Sequence, residues 1–244
     1  MFNFDKRTLI IVLGIFLVFE IISTGTAGIL ATLFTLPGVL IAITFHEFAH
    51  AFVAYKLGDE TPKLQGRVNL NPLSHIDPIG FMFLIVAGFG WGKPVEINSR
   101  NFNGKYSLSK AEAIVAAAGP IMNLILGFIF MIIFYLIFFT TNITKGLNSN
   151  AYTALYYVMS GIISVNIGLG VFNLIPLPPL DGSKILMHFL PYNAKQWFYD
   201  KEQIFYIVFI VLWVTGLTSL ILQPIFGAVF KAFSWAAGKL IGLF

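Results

Sequence analysis

The chain contains no cysteine, so it can form no disulfide framework and can offer no thiolate as a metal ligand or nucleophile. Catalytic options contract to imidazole, carboxylate and hydroxyl chemistry. Charge is scarce too: only 11% of the 244 residues are charged while 57% are hydrophobic, and the mean hydropathy is +0.84. Such values exclude a soluble domain of ordinary composition and point to a membrane protein. The net charge of +4 does not imply a nucleic-acid partner, because the basic residues are scattered through loops and do not cluster with aromatics on one face. No Ala-x-Ala-like cleavage site follows Asp5-Lys6-Arg7 and its apolar run, so that run is expected to stay as a first span. Internal repeats and low-complexity tracts are lacking as well.

What is present is a series of apolar stretches long enough to cross a hydrocarbon core of roughly 30 Å. The first covers 8–22, apolar except for Glu20, and ends at a polar Ser23-Thr24-Gly25-Thr26 turn. The second covers 27–57 with Pro37 as a kink, the third 113–139, the fourth 152–175 and the fifth 204–222. The tail 224–244 carries Lys231 and Lys239 and reads either as a sixth span or as an amphipathic surface helix. Between the second and third stretches, 79–91 is apolar, too short to span and interrupted by Gly88 and Gly90, which predicts a re-entrant, interfacial or β-like segment. The expected fold is therefore an all-α integral membrane protein of about six transmembrane helices with a re-entrant or β-like segment after the second. It forms a single polytopic domain over 1–244 with its core at 27–187.

Basic residues set the expected orientation, because Lys and Arg are retained on the cytosolic side. With the N-terminus in the cytosol, Lys6, Arg7, the seven basic residues from Lys56 to Lys110, and Lys184, Lys195 and Lys201 lie inside, and Lys145 lies outside. Localisation in the cell membrane with a cytosol-facing site follows as the expectation.

The most informative segment is His46-Glu47-Phe48-Ala49-His50, inside the second apolar stretch. Four residues apart on a helix, the two imidazoles share one face and can reach a single metal ion. Glu47 is offset from the pair and better placed to act on water than to bind the ion. In a soluble helix an HExxH string is an ordinary coincidence. Inside a span, each ionisable side chain costs about 2.5–3.5 kcal/mol on insertion scales, and three within five residues require a compensating partner such as a divalent cation. A catalytic zinc takes three protein ligands and leaves one position open. His75, Asp77, Glu112, Asp181 and His188 are the candidates for the third ligand. Asp181 has the most suggestive surroundings: it closes Asn173-Leu174-Ile175-Pro176-Leu177-Pro178-Pro179-Leu180-Asp181-Gly182, where prolines break the fourth span and bring irregular backbone to membrane depth. An Asp before Gly is equally an ordinary turn or capping residue.

Three motifs in this order, HEFAH, Gly119-Pro120-Ile121-Met122-Asn123 and NLIPLPPLDG, resemble those of the site-2 protease family of intramembrane zinc metalloproteases, and the likeness runs over roughly 37–187. The segments Asn71-Pro72-Leu73-Ser74-His75-Ile76-Asp77-Pro78 and Gly92-Lys93-Pro94-Val95 are similar to its compact bacterial and archaeal branch, which fits the lack of recognisable PDZ or CBS sequence. The resemblance implies one Zn²⁺ per chain held by His46, His50 and Asp181, with Glu47 as the catalytic base. It places Asn123 near the active site, holding substrate or orienting water, although a polar residue bonding between helices is the plainer role. His75 is either adjacent to the site or a loop histidine satisfied by backbone. His188 and Glu112 are expected to be structural or solvated.

The implied activity is hydrolysis of peptide bonds within or near transmembrane segments of a membrane-protein substrate in the lipid bilayer, with Lys93-Pro94-Val95-Glu96-Ile97 offering a strand edge to an extended peptide. Two other readings compete. A divalent-cation transporter usually shows repeated architecture and several sites along a path, whereas here the ligand types converge on one HExxH and one Asp. A silent membrane binding protein has no use for Glu47.

Overall fold

A computed structural model describes residues 6–81, 90, 92–141 and 143–243 of the chain. Helix α1 runs Lys6–Lys56 without interruption, through both the expected turn at 23–26 and Pro37. An interior glycine costs a helix only about 1 kcal/mol. A broken turn facing lipid leaves several backbone groups unpaired, so the helix prevails over the turn composition. After the short helices α2 (Thr61–Leu64) and α3 (Pro72–His75), helix α4 spans Leu108–Tyr135 and ends in a π-helical turn at Leu136–Thr140. The hydroxyls of Thr140 and Thr141 close that end by donating to the carbonyls of Leu136 and Ile137, at 3.0 and 3.1 Å. Helix α5 (Ser149–Asn173) is capped by Asn148, whose side chain accepts from Ala151 N–H at 2.9 Å.

Helices α1, α4 and α5 pack together as the core of the bundle. At the α1–α5 crossing the backbones touch: a Cβ on Gly38 would lie 2.8 Å from the Gly161 carbonyl oxygen, and one on Gly161 would lie 3.1 Å from that of Phe34. Small residues are the usual means of close helix approach in lipid, where no hydrophobic force draws helices together. Met131 and Phe134 of α4 interleave with Met159, Ile162, Ile163, Ile167 and Val171 of α5.

The connection after α5 contains helices α6 (Asp181–Phe189) and α7 (Tyr192–Asp200), followed by α8 (Glu202–Val214) and α9 (Leu217–Leu240). The apolar stretch 204–222 is thus not one span. Gly216, at φ 73° in the left-handed region, divides it. The tail is not a separate surface helix; it belongs to α9, which joins the core through Ala237, a Phe128–Phe233 ring contact and a hydrogen bond between the hydroxyls of Tyr135 and Ser234. Among the described residues four helical stretches are long and apolar enough to cross a membrane: Leu30–Lys56, Leu108–Thr140, Ser149–Asn173 and Leu217–Leu240. The chain is all-α and membrane-spanning, as composition requires; what differs is how the apolar sequence is divided into helices.

The described residues between α1 and α4 are tied by two buried charges, Asp59 and Arg67. Asp59 accepts from the Thr61 hydroxyl (2.6 Å) and N–H (3.1 Å), the Asn98 N–H (2.8 Å) and the Asn101 amide (2.9 Å). Burial alone would raise its pKa, but these hydrogen bonds outweigh it and the pKa is lowered. The Arg67 guanidinium donates to the carbonyls of Ser74, Lys93 (3.1 Å) and Pro94 (2.9 Å), which fixes the start of segment 93–97. The β-like character expected here amounts, among the described residues, to one antiparallel bridge between Ile76 and Gly92, with Lys93 N–H donating to the His75 carbonyl at 2.8 Å. Most of the expected re-entrant segment 79–91 lies outside the described residues.

Candidate metal centre

The helical period of α1 puts His46 and His50 one turn apart, both buried, with ring centroids 4.6 Å apart and Nε2 atoms separated by 3.0 Å. Asp181, from the first turn of α6, closes the group: its Oδ2 lies 3.1 Å from His46 Nε2 and 3.2 Å from His50 Nε2. The chain reversal that delivers it is tight. A Cβ on Gly182 would fall 2.3 Å from the Ile175 carbonyl oxygen, so glycine after Asp181 is a packing requirement of this turn.

Hydrogen-bond partners assign the tautomers of both imidazoles. His50 Nδ1 lies 2.7 Å from the Val115 carbonyl, which can only accept, so Nδ1 carries the proton. His46 Nδ1 lies 2.7 Å from Asn123 Oδ1. The Asn123 amide is held in that sense because its NH₂ donates to the Ala42 carbonyl at 2.9 Å and to Asn166 Oδ1 at 3.1 Å. In the neutral imidazoles both Nε2 atoms therefore present lone pairs, and a carboxylate oxygen joins them. Three acceptors converging within 3.2 Å of one another repel unless a cation sits among them. A tetrahedral zinc with bonds of about 2.0–2.1 Å has ligand–ligand edges of about 3.3 Å, close to the separations seen. Donor chemistry and spacing both fit a zinc ion, and among the described residues this is the group of His, Asp and Glu side chains whose ligand atoms lie close enough to hold one.

Helix α4 forms the floor. A Cβ on Gly119 would stand 2.4 Å from His50 Nε2 and 2.7 Å from His46 Nε2, so only glycine fits beneath the site. Glu47 lies beside the histidines, where its Oε2 accepts from Val95 N–H at 3.1 Å. A cavity of about 700 Å³ opens here, lined by Glu47, Val95, Glu112, Asp181, Lys195 and Tyr199 among others.

The remaining sequence candidates fall elsewhere. His75 is buried and donates from Nε2 to the Asn69 carbonyl at 2.8 Å, with desolvation lowering its pKa; it serves the loop and stands outside the ligand group. Asp77 caps a turn, accepting from Ile79 and Gly80 N–H at 3.0 and 2.8 Å. Glu112 lines the cavity, and His188 stands outside the ligand group. Sequence reasoning overlooked Asn166, although an asparagine in the middle of the apolar stretch 152–175 was a legible signal, and the steric role of Gly119, which no periodicity reveals.

The family model for peptidase family M50 matches residues 34–216. The Bacillus subtilis (strain 168) protein YwhC, provisionally named a zinc metalloprotease, is 42% identical over 191 residues, covering 78% of this chain and 84% of its own. Two other proteins with the same provisional name are more distant. Rip2 of Mycolicibacterium smegmatis is 26% identical over 183 residues (74% of this chain, 66% of its own), and MJ0611 of Methanocaldococcus jannaschii is 25% identical over 189 residues (76% and 86%). No solved structure matches the chain. The converging histidines and carboxylate, the spanning helices and these likenesses agree: the chain belongs to peptidase family M50, the site-2 protease family, and is an integral membrane metalloprotease whose cofactor is zinc.

Proposed function

We propose that the protein is an intramembrane protease that cleaves membrane-protein substrates within or near a transmembrane segment, from a site facing the cytosol of the cell membrane. His46, His50 and Asp181 hold one zinc ion per chain, and Glu47 is the general base. The observation that carries this reading is the meeting of three metal-type donors within 3.2 Å, beside Glu47 and inside a bundle of membrane-length helices. When bound, the ion supplies Lewis acidity, which lowers the pKa of water and polarises a carbonyl.

The protein's own groups do the rest. Glu47 takes a proton from the attacking water and passes it to the departing amine as the C–N bond breaks. Val95 N–H orients the Glu47 carboxylate. Asn123 and the Val115 carbonyl hold the two imidazoles with Nε2 turned inward. A transmembrane helix must unwind before its carbonyl can be attacked, and segment 93–97, anchored by Arg67, is the backbone beside Glu47 along which an extended peptide can lie.

The test is reconstitution of the purified protein in vesicles with a panel of single-span proteins, mapping any cut by mass spectrometry. Zinc-dependent cuts within or next to the apolar segment support the reading. Cleavage confined to soluble loops, or zinc transport without cleavage, contradicts it.

A further inference from the structure

Zinc ligation by His46 requires that the proton sit on Nδ1 and the lone pair on Nε2. The structure traces the cause of that choice beyond Asn123. Asn166 of α5 is fully buried; its NH₂ donates to the Ile162 carbonyl at 2.8 Å, one turn back, which turns its Oδ1 away from Ile162. That oxygen accepts from Asn123 Nδ2 at 3.1 Å, and Asn123 Oδ1 in turn accepts from His46 Nδ1 at 2.7 Å. The hydrogen bonds thus run in one sense from His46 through two amides to a backbone carbonyl of a different helix. Reversing the Asn123 amide would set its oxygen against two acceptors, the Ala42 carbonyl and Asn166 Oδ1, and would turn an NH₂ toward His46. In a buried site such unpaired groups are strongly disfavoured, and a connected chain enforces its own direction.

We infer that Asn166 is a positioning residue of the metal centre, fixing the Asn123 amide and through it the His46 tautomer that binds zinc. The inference rests on the proposed ligand role of His46. A purely structural Asn166 would need only its bond to Ile162, which is an ordinary back-bond on a helix. Asn166→Ser separates the two roles: a serine hydroxyl can still donate to the carbonyl four residues back but is too short to accept from Asn123. Asn166→Leu keeps the branched shape, with bulkier methyl groups, and removes both bonds.

The experiment measures apparent zinc affinity of the full-length, detergent-purified protein by competition with a chelator, together with the melting temperature of the zinc-free form. Asn123→Ala is expected to weaken zinc up to about 100-fold and Asn166→Ser about tenfold, the range for partners that orient a ligand; Asn166 ranks lower because Ala42 still holds the Asn123 amide. In the Asn123→Ala background the Asn166→Ser loss should vanish, since its effect passes through Asn123. An unchanged affinity for Asn166→Ser, or the same tenfold loss in both backgrounds, overturns the inference. So does collapse of the zinc-free fold in both Asn166 variants, which would assign the residue to packing. His46→Ala is the control for the underlying reading: if it keeps wild-type zinc affinity, the ligand assignment fails, whereas its loss beside an unaffected Asn166→Ser removes only the inference.

Discussion

Replacing Asp181 tests whether a residue 135 positions from His46 in sequence (181 minus 46) completes the same centre. Its Oδ2 stands 3.1 and 3.2 Å from Nε2 of His46 and of His50, and the N-cap position of α6 is held by Leu180, not by Asp181. Asp181→Ala removes one of three protein donors and the centre's only anionic one. Changes that merely orient a ligand cost 10- to 100-fold in affinity, so loss of a ligand should exceed this and reach at least about 1,000-fold, or about 4 kcal/mol. Asp181→Asn retains the shape and an acceptor oxygen but not the charge, so it should keep part of the zinc and little turnover. The assay pairs zinc content by elemental analysis with apparent affinity by chelator competition, on protein shown to be monodisperse in detergent. A turn or capping aspartate would lose only about 1 kcal/mol of stability on either change and leave zinc untouched. Full occupancy in a folded Asp181→Ala variant would refute the assignment.

Other outcomes follow from the same geometry. Glu47→Gln should abolish cleavage while zinc content stays near one per chain, because the side chain stands beside the donor group and outside it; normal cleavage would remove Glu47 as base. Ser107 precedes α4 and Asn148 precedes α5, at opposite ends of the stretch Leu108–Thr140, whose 33 residues extend roughly 50 Å at 1.5 Å per residue. In intact cells a membrane-impermeant thiol reagent should therefore label Asn148→Cys and spare Ser107→Cys, and the opposite pattern would invert the orientation. His75 is buried with a lowered pKa, so it favours the fold fully above its unfolded value near 6.5, and that contribution is lost as pH falls through the lower folded value. Thermal melts of wild type should fall between pH 7 and 5 more than those of a folded His75→Gln variant; equal slopes would discard this source.

Much of the centre is legible in the sequence because its chemistry is unusual for its setting. His46, Glu47 and His50 in one span demand a cation, and a proline-broken helix end delivers Asp181. What stays hidden depends on three-dimensional approach. Nothing local in the sequence announces that α4 passes so close to the histidines that Gly119 cannot bear a Cβ. Nor does it announce that Asn166 meets Asn123 across two helices. The helix boundaries mislead for a related reason. Polar turn residues at 23–26 would break a helix in water, yet the chain stays helical there. At Gly216, by contrast, a positive φ ends α8 inside the run, where Thr215, Gly216, Thr218 and Ser219 make a polar patch like that at 23–26. His75 stood beside a motif, and only the Asn69 carbonyl shows that its partner is backbone.

The most direct test of the metal centre is X-ray absorption at the zinc edge on the purified, zinc-loaded protein. Two imidazole nitrogens and carboxylate oxygen in a four-coordinate shell, with bonds of about 2.0–2.2 Å, are expected. The shell should be unchanged in Glu47→Gln and lose imidazole scattering in His46→Ala. A shell of oxygens without imidazole, or one unaffected by His46→Ala, would contradict the assignment of His46, His50 and Asp181 as the zinc ligands.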